Sequence, residues 1–170
     1  MSALGRMQQV AGPAILRMLA DVRAVMANVE DLCGEDVREP RVTLDLPGEQ
    51  PEPFHVCVHG TAREFGIAGA LTGSVIGVTF HIWVTVVASG GTAEQAVSTA
   101  NDYQALLLQI PLNDVTLGGT VDELGAPQVR EAESWSDPDG RRHAGYLLEF
   151  EALKRVAASP AVAAILEAIE

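Results

Sequence analysis

The stretch Val75–Ala96, VIGVTFHIWVTVVASGGTAEQA, decides the fold. Ile76, Val78, Phe80, Ile82, Val84 and Val86 form an unbroken apolar row at period two, the spacing of one face of a β-strand. The alternate row, Gly77, Thr79, His81, Trp83 and Thr85, is mixed, so one face meets a core and the other meets solvent or a neighbour. Gly90-Gly91 interrupts the pattern. Thr92 and Gln95 then stand at capping-box spacing and open a helix over Ala93–Gln109. Strand, glycines and helix N-terminus in that order also describe many phosphate-binding loops. A Walker loop needs a Gly-Lys-Ser/Thr ending, and a dinucleotide fingerprint needs three spaced glycines. This loop has no lysine and two adjacent glycines, so the sequence predicts a strand-to-helix corner.

Working outward, Pro13–Leu32 reads as an amphipathic helix, with Pro13 at its first position and Ile15, Leu19, Val22, Met26 and Val29 on one stripe. Arg41–Leu46 and Phe54–His59 alternate like short strands. Gly60–Gly73 holds four glycines and reads as a long loop. Ala96, Val97, Ala100, Tyr103, Leu107 and Ile110 supply the buried stripe of the second helix, which Pro111 ends. Thr120–Leu124 and Gln128–Trp135 read as strands. Asp137-Pro138-Asp139-Gly140 is a turn signal with a mechanism, since Pro presets φ and Gly accepts positive φ. Arg142–Ala152 returns as a strand and makes a hairpin. Ser159-Pro160 opens a short helix over 159–170. Hairpin connections imply an antiparallel sheet, so the expected class is α+β: a mostly antiparallel sheet with two main helices packed on one face, plus a short C-terminal helix, in one domain spanning 1–170.

The chain carries 11 Lys and Arg against 23 Asp and Glu, a net charge of −12. Acidic chains make poor nucleic-acid grips, because affinity there comes from basic residues neutralising phosphates. Such a surface suits a passage through which DNA slides without sticking. No apolar run reaches the roughly 18 residues of a membrane span. No secretory signal peptide is evident, and two cysteines do not make a disulfide framework.

Few residues suggest reactivity. His55-x-Cys57-x-His59 puts three metal-ligand types on one strand face, but side chains at i, i+2 and i+4 spread over roughly 13 Å, too far for one zinc without a kink. No Gly-x-Ser-x-Gly occurs. Glu131, Glu133, Asp137 and Asp139 read as a solvated hairpin. No catalytic residue, cofactor site or metal site is expected.

The second half of the chain resembles a known family. Its pattern is the long strand VIGVTFHIWVTVVAS, the capped helix TAEQAVSTANDYQALLLQI, then LNDVTLGGTVDELGAPQV and a hairpin ending DPDGRRHAGYLLEFEA. It looks like the tail terminator, or tail-completion, proteins of long non-contractile-tailed bacteriophages and prophages. The likeness runs from Arg41 to Ala152; the Gly60–Gly73 loop and the added C-terminal helix depart from it. The resemblance implies a structural, non-enzymatic protomer without cofactor that closes with copies of itself into a ring, usually a hexamer. That ring caps the head-proximal end of the tail tube, stops the major tail tube protein from polymerising and presents a surface to the head–tail connector protein. DNA passes through without specific binding, no membrane is involved, and the protein moves from host cytoplasm to virion tail. Expected contact residues are Arg63, Glu64 and Phe65 in the central loop, Thr79, His81 and Trp83 on the long strand, and Asp137, Asp139, Arg141 and Arg142 at the hairpin. Alternatives are another tail or neck component, a small metal-dependent hydrolase using His55, Cys57 or His59, and an acidic partner-capping module.

Overall fold

In the computed structural model of the protein, the described residues are 3–27, 41–44, 55–60, 66–71, 75–131 and 134–157. Two sixteen-residue strands form the spine, β4 (Val75–Gly90) and β8 (Arg142–Ala157). They pair antiparallel along their whole length, from Val75 opposite Ala157 to Gly90 opposite Arg142. The far edge of β4 is shared by β3 (Gly66–Leu71), on Val75–Thr79, and β2 (His55–Gly60), on Ile82–Val87. β1 (Arg41–Thr43) joins β2 in parallel; every other described pairing is antiparallel. The far edge of β8 carries β5 (Glu123–Leu124), β6 (Gln128–Glu131) and β7 (Trp135–Ser136). Among the described residues the sheet thus holds eight strands.

α1 (Ala3–Met26) and α2 (Ala93–Leu107) pack on one face of this sheet. Their buried residues, among them Met18, Val22, Met26, Ala100, Tyr103 and Leu107, join Val78, Phe80, Ile82, Val84, Val86, Leu148 and Phe150 in a single cluster. The apolar row of β4 therefore faces the core as its period implies. A side chain the size of Phe80, fully removed from water, contributes about 1.5–3 kcal/mol. The architecture is α+β, with a mostly antiparallel sheet and both main helices on one side. The expected C-terminal helix lies outside the described residues.

Several boundaries differ from the sequence reading, each for a local reason. α1 begins ten residues before Pro13, which sits exposed inside the helix; Ala11 and Ala14 extend the stripe, and burying this face outweighs the lost backbone donor. Gly66–Leu71 is a strand, not loop. Its small residues hide the alternation, and its pairing slips in register between Ile67 and Ala70. Pro111 does not end a helix. α2 stops at Leu107, and a new short helix, α3 (Gln109–Asn113), holds Pro111 in its first turn, where no N–H is needed.

Thr120–Leu124 shrinks to the two residues of β5 because Leu117, Gly118 and Gly119 run consecutively at positive φ, of 47°, 66° and 80°. Asp114 holds this loop: its carboxylate accepts the Thr116 N–H at 2.8 Å, the Thr116 hydroxyl at 2.6 Å and the Gly118 N–H at 2.6 Å. Leu117 stays fully buried, which compensates its left-handed backbone. The capping box also differs in detail. Thr92 Oγ1 accepts the Gln95 N–H at 3.2 Å, while Gln95 Oε1 accepts from Gly91, one residue before the cap, at 3.1 Å. β8 continues to Ala157, five residues past the expected end.

Candidate functional site

Because side chains alternate along β4 and β8, the residues that miss the core share one outer face. The register sets Thr79 opposite Leu153, His81 opposite Glu151, Trp83 opposite Glu149, Thr85 opposite Leu147 and Ser89 opposite His143. β6 and β7 extend this face, with Gln128 opposite Glu149, Arg130 opposite Leu147 and Trp135 opposite His143. None of these residues belongs to the helix-covered cluster. Thr79, His81 and Trp83 are half-buried. The long-strand row thus shares one face with Trp135 and His143 of the hairpin, while Arg142, opposite Gly90 and Ser136, belongs to the alternate row and Asp139 and Arg141 stand at the exposed turn.

Two polar clusters occupy it. In the first, Glu149 sits only 9% exposed. Its Oε2 meets the Arg130 guanidinium at 2.7 Å and its Oε1 lies 3.0 Å from His81 Nδ1. A buried carboxylate needs such partners, since an unpaired charge there costs several kcal/mol (on the order of 3–5). Arg130, itself exposed, anchors the edge strand β6 to β8 through this contact.

The second cluster stands eight residues along β4, roughly 26 Å away at the rise of a strand. His143 is 3% exposed. Its Nδ1 lies 2.7 Å from Ser89 Oγ and its Nε2 lies 3.2 Å from Asp137 Oδ2. A carboxylate only accepts, so Nε2 carries the proton, and in the neutral ring Nδ1 accepts from the serine hydroxyl. Trp135 stacks on the imidazole, with centroids 5.3 Å apart and planes 19° from parallel. Asp137 is also the pivot of the turn: its Oδ1 accepts the Arg141 N–H at 2.8 Å, and its backbone bonds Gly140 and Arg141. Partial burial pushes the Asp137 carboxyl upward, but the Arg141 N–H, His143 and the Asp139 N–H outweigh it and hold the group below the ordinary carboxylate value. Asp137 is therefore not the solvated hairpin acid expected from its sequence.

Asp139 and Arg141 are exposed at the turn, and Arg142 donates to the Ser136 hydroxyl. Arg63, Glu64 and Phe65 lie outside the described residues, as do the side chains of His55, Cys57, His59 and Glu131. Among the described residues no group of three or more His, Cys, Asp or Glu is placed to hold a metal ion. No described helix is long and apolar enough to cross a membrane.

Ser89 and His143 were missed by the sequence reading. The period-two row that contains Thr79 and His81 also contains Ser89, which was the available signal. Its partner is 54 residues away, and only the β4–β8 register identifies it. No protein-family model matches the chain, and no curated protein matches its sequence.

Proposed function

We propose that the protein is a structural component of a bacteriophage tail that forms a ring on the head-proximal end of the tail tube. The observation that carries this reading is the continuous outer face of the β4–β8 ribbon. Both helices pack on the opposite side, and the outer row mixes Thr79, His81, Trp83, Leu147 and Leu153 with charged groups. The α+β architecture with two helices on one face agrees with what the resemblance implies. A cyclic head-to-tail ring needs two different patches per subunit. The ribbon face and the exposed hairpin tip at Asp139 and Arg141 supply two such patches. The acidic balance of the chain suits a passage for DNA rather than a grip on it.

Light scattering of the purified protein and negative-stain microscopy with assembled tail tubes test the proposal together. Rings in solution, or caps at one end of the tubes, support it. A strict monomer that neither forms rings nor binds tubes overturns it. Incorporation along the whole tube would instead identify a tube subunit, the nearest alternative.

A further inference from the structure

We propose that Ser89 is an activated nucleophile, made reactive by His143 and Asp137, that accepts acyl groups from small activated esters. The inference is independent of the tail reading. Three observations converge on it. The first is the order of contacts: hydroxyl to imidazole at 2.7 Å, imidazole to carboxylate at 3.2 Å. A nucleophile within hydrogen-bond reach of a base, with the base oriented by a third group, is the arrangement that activates a serine.

The second is the place in the chain. Ser89 is the penultimate residue of β4, which ends at Gly90 just before Gly91 and the first turn of α2. Gly90 has no room for a side chain, since an added Cβ would stand 2.7 Å from Ala96 N and 2.8 Å from Gln95 Cβ. Ser89 itself lies within the β4–β8 ladder directly opposite His143, so the register holds its hydroxyl against the imidazole.

The third is burial. His143 is enclosed and stacked on Trp135, so its ring orientation is fixed, while Ser89 itself stays partly exposed. A histidine kept only for packing would be satisfied by the same two contacts. The distinguishing property is the reactivity of the hydroxyl.

The step balances as follows. Ser89 Oγ attacks the carbonyl carbon of an aryl ester while its proton passes to His143 Nδ1. The aryl oxide leaves with the bond electrons and takes the proton from Nδ1 as a phenol, while the acyl group stays on Oγ. Water then attacks the acyl carbon, giving a proton to the freed Nδ1; that proton passes to Ser89 Oγ as the acyl–Oγ bond breaks and a carboxylic acid is released. Asp137 is a positioning residue: it keeps the Nε2 proton in place and stabilises the imidazolium.

The test is covalent labelling of the full chain with a fluorophosphonate probe and with p-nitrophenyl acetate, located by peptide mass spectrometry. The expected result is one adduct, on Ser89, lost in Ser89→Ala and in urea-unfolded protein. Labelling should rise with pH to a plateau, since general-base assistance needs an unprotonated imidazole. Asp137→Asn, checked for folding by circular dichroism, should slow labelling by roughly 100-fold, the lower end for general-base assistance. No adduct on Ser89 in the native protein overturns the proposal. So does a Ser89 adduct whose rate is flat with pH and unchanged in Asp137→Asn, the behaviour of a merely exposed hydroxyl. The wild-type labelling and pH profile decide the matter even where a variant fails to fold. Rings without an adduct would refute this inference and leave the tail reading standing.

Discussion

Replacing Gly90 with alanine gives the sharpest test of how the strand-to-helix corner is built. Gly90 is not at positive φ, so its backbone conformation is open to any residue. The obstacle is space. The new Cβ would lie 2.7 Å from a backbone nitrogen and 2.8 Å from Gln95 Cβ, and the backbone atom cannot swing aside. Overpacking of this kind costs about 1–3 kcal/mol. The reduced entropy of the unfolded chain offsets about 0.4–1 kcal/mol. The net expectation for Gly90→Ala is a loss of roughly 1–2 kcal/mol, or about 2–8 °C in Tm for a chain of this size. Gly91→Ala is the control. Its nearest neighbour would be the Gln95 side-chain oxygen at 3.3 Å, which is exposed and can move, so its effect should stay within about 0.5 kcal/mol. Urea unfolding followed by circular dichroism measures both, reading the midpoint at constant m-value. Equal effects at the two positions, or a Gly90→Ala protein as stable as wild type, would refute the packing argument. Inorganic phosphate should leave Tm unchanged, because the Gly91 N–H is already taken by Gln95.

Phe80→Ala should cost about 3–5 kcal/mol, the usual range for emptying a fully buried aromatic site, again read by urea unfolding. Pro13→Ala should stabilise the fold by about 1–3 kcal/mol, since it restores a backbone donor at an exposed interior helix position; a lower Tm would show that the proline shapes α1. Asp114 is held below its ordinary value of 3.8 chiefly by the Thr116 hydroxyl, then by the Gly118 and Thr116 N–H groups, and Asp122 chiefly by the Arg155 N–H. Depressed carboxylates contribute stability that is present above 3.8 and is lost as pH falls through their folded values. Tm should therefore drop on acidification below about pH 4, and Asp114→Asn should flatten part of that drop in a thermal scan from pH 7 to 2.5. Arg141→Glu should weaken ring or tube-end assembly, seen by light scattering and microscopy, without changing Tm by more than about 2 °C, because Arg141 is exposed at a turn.

The sequence by itself determined the spine of this protein. The apolar row from Val78 to Val86, the Thr92 cap and the Asp137–Gly140 turn depend on spacing and side-chain chemistry within a few residues, so they were legible without coordinates. The same locality explains the misreadings. Glycines and alanines in Gly66–Leu71 carry no alternation to read, and Pro13 looks like a helix start unless the burial of Ala11 and Ala14 is known. What only the tertiary structure decided is which outward residues meet. Glu149 finds Arg130 across a strand pair and His81 on β4, and Ser89 finds His143 from 54 positions away. No turn joins β4 to β8, so their register is set by two helices and a sheet closing over one core. A shift of one residue would have turned every one of those side chains to the other face.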